Sequence, residues 1–155
     1  MNYIKIDDVD LHYIKKGKGQ SVLFLHGILL DTSIYDKLIN TLSKKYCVYA
    51  IDLPYHGKTK NENKYYSISN MEKIVKKFCE KLKIKNPIIY GHSAGSAISI
   101  IFTSENKVKE LNLIQPAGLK YYNSIYSILF RIYLLHLFLV LLITLLTFIK
   151  YFFVQ

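Results

Sequence analysis

One arginine, Arg131, and only 11 acidic residues stand in a chain of 155 with 21 basic groups, and that shortage already excludes something. Nucleic-acid recognition leans on basic stripes rich in guanidinium donors, whereas the lysines here are scattered over surface-type positions. The net charge of +10 reads as a solvated lysine-rich surface with no nucleic-acid partner, attraction to an anionic membrane face being its other outlet. Cysteine is as scarce. Cys47 and Cys79 lie far apart, in no metal-ligand spacing and each within an apolar pattern, so neither a metal nor a disulfide is expected. They read as buried reduced thiols, as in a cytosolic compartment. The opening MNYIKIDDVD lacks the apolar core of a secretory leader, and no signal peptide is read there. Gly17-Lys18-Gly19 lacks the spacing and the following Lys-Ser/Thr of a phosphate loop, and no cofactor is expected.

What is present is enough for one domain with a core, since 51% of the residues are hydrophobic. The chain is organised around residues 87–99, PIIYGHSAGSAIS. Pro87 to Tyr90 is a short strand-type run, Gly91-His92-Ser93-Ala94-Gly95 follows at once, and Ala97, Ile98, Ile100 and Ile101 continue as the apolar side of a helix. A serine pinned between a strand and a helix, with a glycine two residues away on each side, reads as a nucleophile elbow. So tight a turn leaves no room for a Cβ at either glycine. The helix behind it directs free N–H groups and its positive end toward the hydroxyl. The bland alternative is a strand-to-helix turn whose Ser93 merely caps the helix.

In chain order, Tyr3 to Ile6 and Leu11 to Ile14 alternate and predict a hairpin about Asp7-Asp8-Val9-Asp10. Val22 to Leu25 is a continuous apolar run of the kind buried on both faces of a parallel sheet, and it leads directly into His26-Gly27. Ser33 to Lys44 carries Ile34, Leu38, Ile39 and Leu42 at helical spacing behind Asp31-Thr32-Ser33 as cap. Tyr46 to Leu53 is strand again, ending in Asp52-Leu53-Pro54-Tyr55-His56-Gly57, and Lys58 to Lys64 reads as a loop. A helix over 69–82 shows one stripe of Met71, Ile74, Val75, Phe78, Cys79 and Leu82. The elbow strand and its helix, to about Ser104, precede a last strand at Glu110 to Ile114. Strands alternating with helices, each strand carrying its polar motif at its carboxyl end, predict an α/β fold: a mostly parallel open sheet with helices on both faces.

His26-Gly27, then Asp52-x-Pro54-x-His56-Gly57, then Gly91-His92-Ser93-Ala94-Gly95 together resemble the N-terminal half of the α/β-hydrolase superfamily. The run from Lys107 to Gly118 is similar to the family's sixth strand and the loop behind it, so the resemblance covers residues 1 to 118. It implies that Ser93 is the nucleophile, attacking a carbonyl carbon to give an acyl-enzyme. It implies one oxyanion donor in the backbone N–H of Ala94 and the other in that of Ile28, with Leu29 as second choice. His26 and His56 match positions that shape their loops, and His92 points the wrong way for a base. A serine at position 93 suits the ester, thioester, lipid and peptide hydrolases of the family better than its dehalogenases and epoxide hydrolases.

The family order is nucleophile, acid, histidine. After Ser93 this chain offers only Glu105, Glu110 and His136, none placed for the task, so the expectation is an incomplete hydrolase fold cut before its acid and histidine. Its last strand would be an exposed edge that invites self-association. Residues 119–155 are different material. Between Arg131 and Lys150 lie 18 uncharged residues, 132–149, of which 14 are Leu, Ile, Val or Phe. As a helix they would reach about 27 Å, close to the roughly 30 Å of a bilayer's hydrocarbon. A long apolar C-terminal helix is therefore expected, either transmembrane or a lid. If it spans, Lys120 and Arg131 favour a cytoplasmic N-terminal part, in a single-pass or peripheral membrane protein; the alternative is cytoplasmic. Two functions follow: a serine hydrolase of a small-molecule or lipid acyl substrate, or an inactive membrane-anchored pseudoenzyme or interaction protein.

Overall fold

The computed structural model describes residues 2–61, 66–117, 132–136 and 140. The chain divides into two compact units, 1–118 and 119–155. The first unit opens with the hairpin of β1 (Asn2–Ile6) and β2 (Val9–Lys16), followed by β3 (Ser21–Leu25). A 3-10 turn (Thr32–Tyr35) leads into α1 (Asp36–Leu42), then come β4 (Cys47–Ile51), the two-residue β5 (Lys60–Asn61) and α2 (Ile68–Lys81). Next are β6 (Ile88–His92), α3 (Ala94–Glu105) and β7 (Glu110–Ile114). The sheet runs β1-β2-β4-β3-β6-β7, with β5 paired to β2. Strands β4, β3, β6 and β7 are parallel, while β2 pairs antiparallel with both β1 and β4.

The apolar runs need no alternation because both faces of this sheet are covered. Within β3, Leu23 and Leu25 face one side with Tyr49, Ile51 and Ile89, under Ile74, Val75, Phe78, Ile98 and Phe102 of α2 and α3. Val22 and Phe24 face the other with Val48, Ala50 and Ile88, under Ile39 and its neighbours in α1. The period of two in the strands thus meets a period of 3.6 on each side. Phe24, Phe78 and Leu23 are fully enclosed, each contributing about 1.5–3 kcal/mol of burial. Helix α2 starts where Ser67 accepts from the Asn70 amide at 3.2 Å, a side-chain cap for an otherwise unbonded donor.

Two expectations need correction. The helix predicted over 33–44 begins as a 3-10 turn, because Asp31 accepts from the Ser33 amide at 2.7 Å and Asp52 from the Thr32 amide at 2.9 Å. The tighter winding turns Ile34 outward, 63% exposed, rather than into the core. The loop predicted over 58–64 contains β5, whose bridge to Val9 and Asp10 is fixed by its partner and not by its own polar sequence. In the second unit residues 132–136 are helical. Among the described residues no helix is long and apolar enough to cross a membrane, and most of the predicted 132–149 helix lies outside them.

Candidate active site

In register, Leu25 of β3 lies between Ile51 of β4 and Gly91 of β6, and His92 lies beside Ile114 of β7. The four parallel strands therefore end together, and their polar motifs emerge along one edge of the sheet. At each of these ends a non-glycine residue takes a left-handed φ: Leu29 at 60°, Tyr55 at 67°, Ser93 at 51° and Gln115 at 44°. Such conformations cost about 1–3 kcal/mol each and persist only where surrounding structure over-determines them, most often at functional sites.

Ser93 is held most firmly. Its amide donates to the Ile114 carbonyl at 3.0 Å, and its own carbonyl accepts from the amides of Ser96 at 3.0 Å and Ala117 at 3.3 Å. Its side chain makes no capping bond to α3, which removes the alternative of a serine that simply caps its helix. A Cβ on Gly91 would stand 2.5 Å from Ser99 Oγ and 2.7 Å from the Gly95 carbonyl, and one on Gly95 would press on the carbonyls of Leu25 and His26. The two glycines are thus required by contact, as the turn predicts. Ser96 and Ser99 tie the turn from within, donating to the carbonyls of Gly91 at 2.6 Å and Gly95 at 2.7 Å.

The loop after β3 closes over the same spot. A Cβ on Gly27 would lie 2.9 Å from His92 Nδ1 and 3.1 Å from Ser93 Cβ, so the backbone leading to Ile28 runs directly against the elbow. Ala94 and Ile28 both border a cavity of about 310 Å3, floored by Leu53 and Met71 and rimmed by Leu29 and Tyr55. A larger cavity, about 580 Å3, opens beside His12, Lys15, Asp31 and Asp52, and none of its lining residues belongs to the elbow. Of the two, only the smaller is lined by a residue of the elbow, Ala94.

Four of the five histidines are in this unit, and each is committed. His26, fully buried, bonds through Nδ1 to the Gly27 carbonyl at 2.7 Å while Nε2 accepts from the Leu53 amide at 3.0 Å. Burial pushes its pKa down, with the charge of His56 adding to the effect against the Gly27 bond, so the ring is a neutral loop brace. His56 bonds through Nδ1 to the Pro54 carbonyl at 2.8 Å and packs on His26 with centroids 5.2 Å apart. His12 meets Asp52 at 2.8 Å. His92 turns toward Tyr35 Oη at 2.8 Å and Gln115 Oε1 at 3.4 Å. Burial raises the Tyr35 phenol's pKa, opposed by its backbone bond to Gly27.

Asp52 anchors the neighbouring loop. Burial alone would raise its pKa, but the amides of Lys58 and Thr32, each 2.9 Å away, together with His12 hold it below the ordinary carboxylate value. A Cβ on Gly57 would collide with this carboxylate, which explains the glycine of the motif. His12, Tyr35 and Gln115 are participants that sequence reasoning missed. Their polar pairings across 40, 57 and 23 residues leave no periodicity to read. Among the described residues no cluster of His, Cys, Asp or Glu could hold a metal ion.

A serine on a strained strand-to-helix turn at the carboxyl edge of an open α/β sheet defines a class, and comparison with known proteins agrees with it. The family model for the alpha/beta hydrolase fold matches residues 20–138, and the chain belongs to that family. It is 33% identical over 90 residues to the uncharacterized hydrolase YugF of Bacillus subtilis, covering 57% of this chain and 33% of that protein. A marine microorganism esterase is 28% identical with a TM-score of 0.66, over 73% of this chain and 44% of the other. An epoxide hydrolase from Bacillus megaterium is 25% identical with a TM-score of 0.68, over 74% and 42%. The chain spans less than half the length of each of these relatives.

Proposed function

We propose that the chain carries the nucleophile half of a serine hydrolase acting on a carboxylic ester or related acyl substrate. The observation that carries this reading is Ser93, with φ 51° and ψ −115°, bonded at both backbone ends and with no capping bond from its side chain. Its hydroxyl attacks the substrate carbonyl, and the amides of Ala94 and Ile28 receive the negative charge that develops on the carbonyl oxygen. Ala94 begins α3, where amides lack intrahelical acceptors and the helix dipole adds to the field. A serine here suits acyl transfer, and the likeness to an esterase points the same way.

Among the described residues of 1–118 no histidine is left over to accept the Ser93 proton. The histidines of residues 1–118 are all engaged by the bonds described above, so in this reading the histidine and acid come from the part of the family fold that the 155 residues do not span. Without them turnover falls by about a millionfold, leaving roughly a thousandfold over water. The measurement is covalent labelling with a fluorophosphonate probe. The full-length chain should label slowly at Ser93 and the Ser93→Ala variant not at all. Equal labelling of both would refute the nucleophile and leave a pseudoenzyme.

Membrane association through residues 132–149, with the N-terminal part cytoplasmic, extends the proposal; its support is the run of 14 aliphatic or Phe residues among 18. Resistance to carbonate extraction tests it. Self-association is supported by β7, which is exposed or half-buried and pairs only with β6 among the described residues.

A further inference from the structure

We infer that the 310 Å3 cavity beside Ala94 is the pocket for the acyl chain, and that it selects straight-chain esters of medium length. This rests on Ser93 being the nucleophile, since the carbonyl carbon must then lie between Ser93 and the amides of Ala94 and Ile28. Both of those residues border the cavity, so the alkyl chain of a carbonyl seated there has this cavity beside it.

The described lining suits such a chain. Ile28 and Leu29, 59% and 90% exposed, form an apolar rim, while Leu53 and Met71, 1% and 7% exposed, form the floor. The wall among the described residues is thus mostly apolar from solvent to core, with Tyr55, His56 and Tyr66 as its polar members. Two of its polar atoms are already used: the Tyr66 hydroxyl donates to Asp8 at 2.7 Å, and His56 Nδ1 bonds to the Pro54 carbonyl at 2.8 Å. Among the described residues the lining holds no Lys, Arg, Asp or Glu to pair with a charged chain end. A volume of 310 Å3 holds about ten groups of the roughly 30 Å3 that a water molecule occupies, which suits an acyl group of about six to ten carbons. Each methylene that enters should tighten binding by about fourfold, as an upper figure.

Met71, one of the chain's two methionines, lies on the cavity floor, which makes this directly testable. The full-length chain, held in lipid nanodiscs and labelled with 13C-methyl methionine, is titrated with methyl octanoate and separately with methyl acetate. Octanoate should shift the Met71 signal, assigned by its loss in Met71→Leu, saturably, and acetate should need at least about tenfold more ligand. Ile68→Trp, which fills the cavity from its partly exposed wall, should weaken the octanoate response by about tenfold or more. An unmoved Met71 in the wild-type chain, or a drift that does not saturate, overturns the pocket whether or not the variant folds. Fluorophosphonate labelling of the same samples separates the two readings. Labelling at Ser93 without a Met71 response sinks the pocket alone. A saturable Met71 response without labelling leaves an apolar ligand site and sinks the nucleophile, and with it the acyl role of the pocket.

Discussion

Tyr35 Oη lies 2.8 Å from His92 Nδ1, joining the turn ahead of α1 to the residue just before Ser93. The opposite ring nitrogen faces Gln115 Oε1 at 3.4 Å, an acceptor, so the proton belongs on Nε2 and Nδ1 accepts from the phenol. The ends of β6 and β7 are thereby linked to the segment that follows β3, and the loop bearing Ile28 is pressed against the elbow at Gly27.

Tyr35→Phe should cost about 1 kcal/mol of stability, the net worth of one such bond, read from the shift in urea midpoint. The more telling measurement is the nitrogen spectrum of His92, which should change from a single Nε2–H tautomer to a mixture. An unchanged tautomer would show that the phenol does not orient the ring.

The backbone at Ser93 predicts an opposition between stability and chemistry. Ser93→Gly relieves a conformation costing about 1–3 kcal/mol and should stabilise the chain by about 1 kcal/mol after glycine's own entropic cost. Ser93→Ala keeps the strain and should leave the urea midpoint nearly unmoved. Both variants lose probe labelling. Equal stabilities for the two would mean that the turn is not strained.

The lowered pKa of His26 predicts acid sensitivity in a defined window. Its folded-state value lies below the ordinary 6.5, so the unfolded chain binds the extra proton first. The stability from the neutral ring is whole above about pH 6.5 and is lost as pH falls toward the folded-state value. Asp52, depressed below 3.8, is a separate acid transition: its contribution is present above that value and lost only below it. The urea midpoint should therefore fall between about pH 7.5 and about pH 5.5, and fall less in His26→Asn. A parallel fall in both proteins would assign the sensitivity elsewhere.

Much of this architecture is written in local pattern. The apolar runs of β3, β4 and β6, the stripe of α2 and the glycine spacing of the elbow each follow from neighbours within a few residues, and β7 falls at Glu110–Ile114 as its sequence predicts. Ser93 stood out because a tight strand-to-helix turn constrains its neighbours sterically, whereas the roles given to Ala94 and Ile28 come from the family resemblance. The bracing of the site was not. His12 sits in a strand at a position indistinguishable from a core residue, and only the fold reveals that it faces Asp52. The cavity is equally invisible to periodicity, since its walls come from the loops after β3 and β4, the start of α2 and the start of α3.

Both backbone ends of Ser93 are fastened by chain that follows it, the amide by Ile114 and the carbonyl in part by Ala117. During synthesis, then, the residues of the motif emerge well before the contacts that set their shape, and the hydroxyl is aimed only when β7 has cleared the ribosome and docked. A nascent chain arrested shortly after α3 would possess the whole glycine-serine-glycine signature and yet lack those fastenings, so activity-based labelling of ribosome-bound intermediates should begin abruptly, at a length set by Ala117.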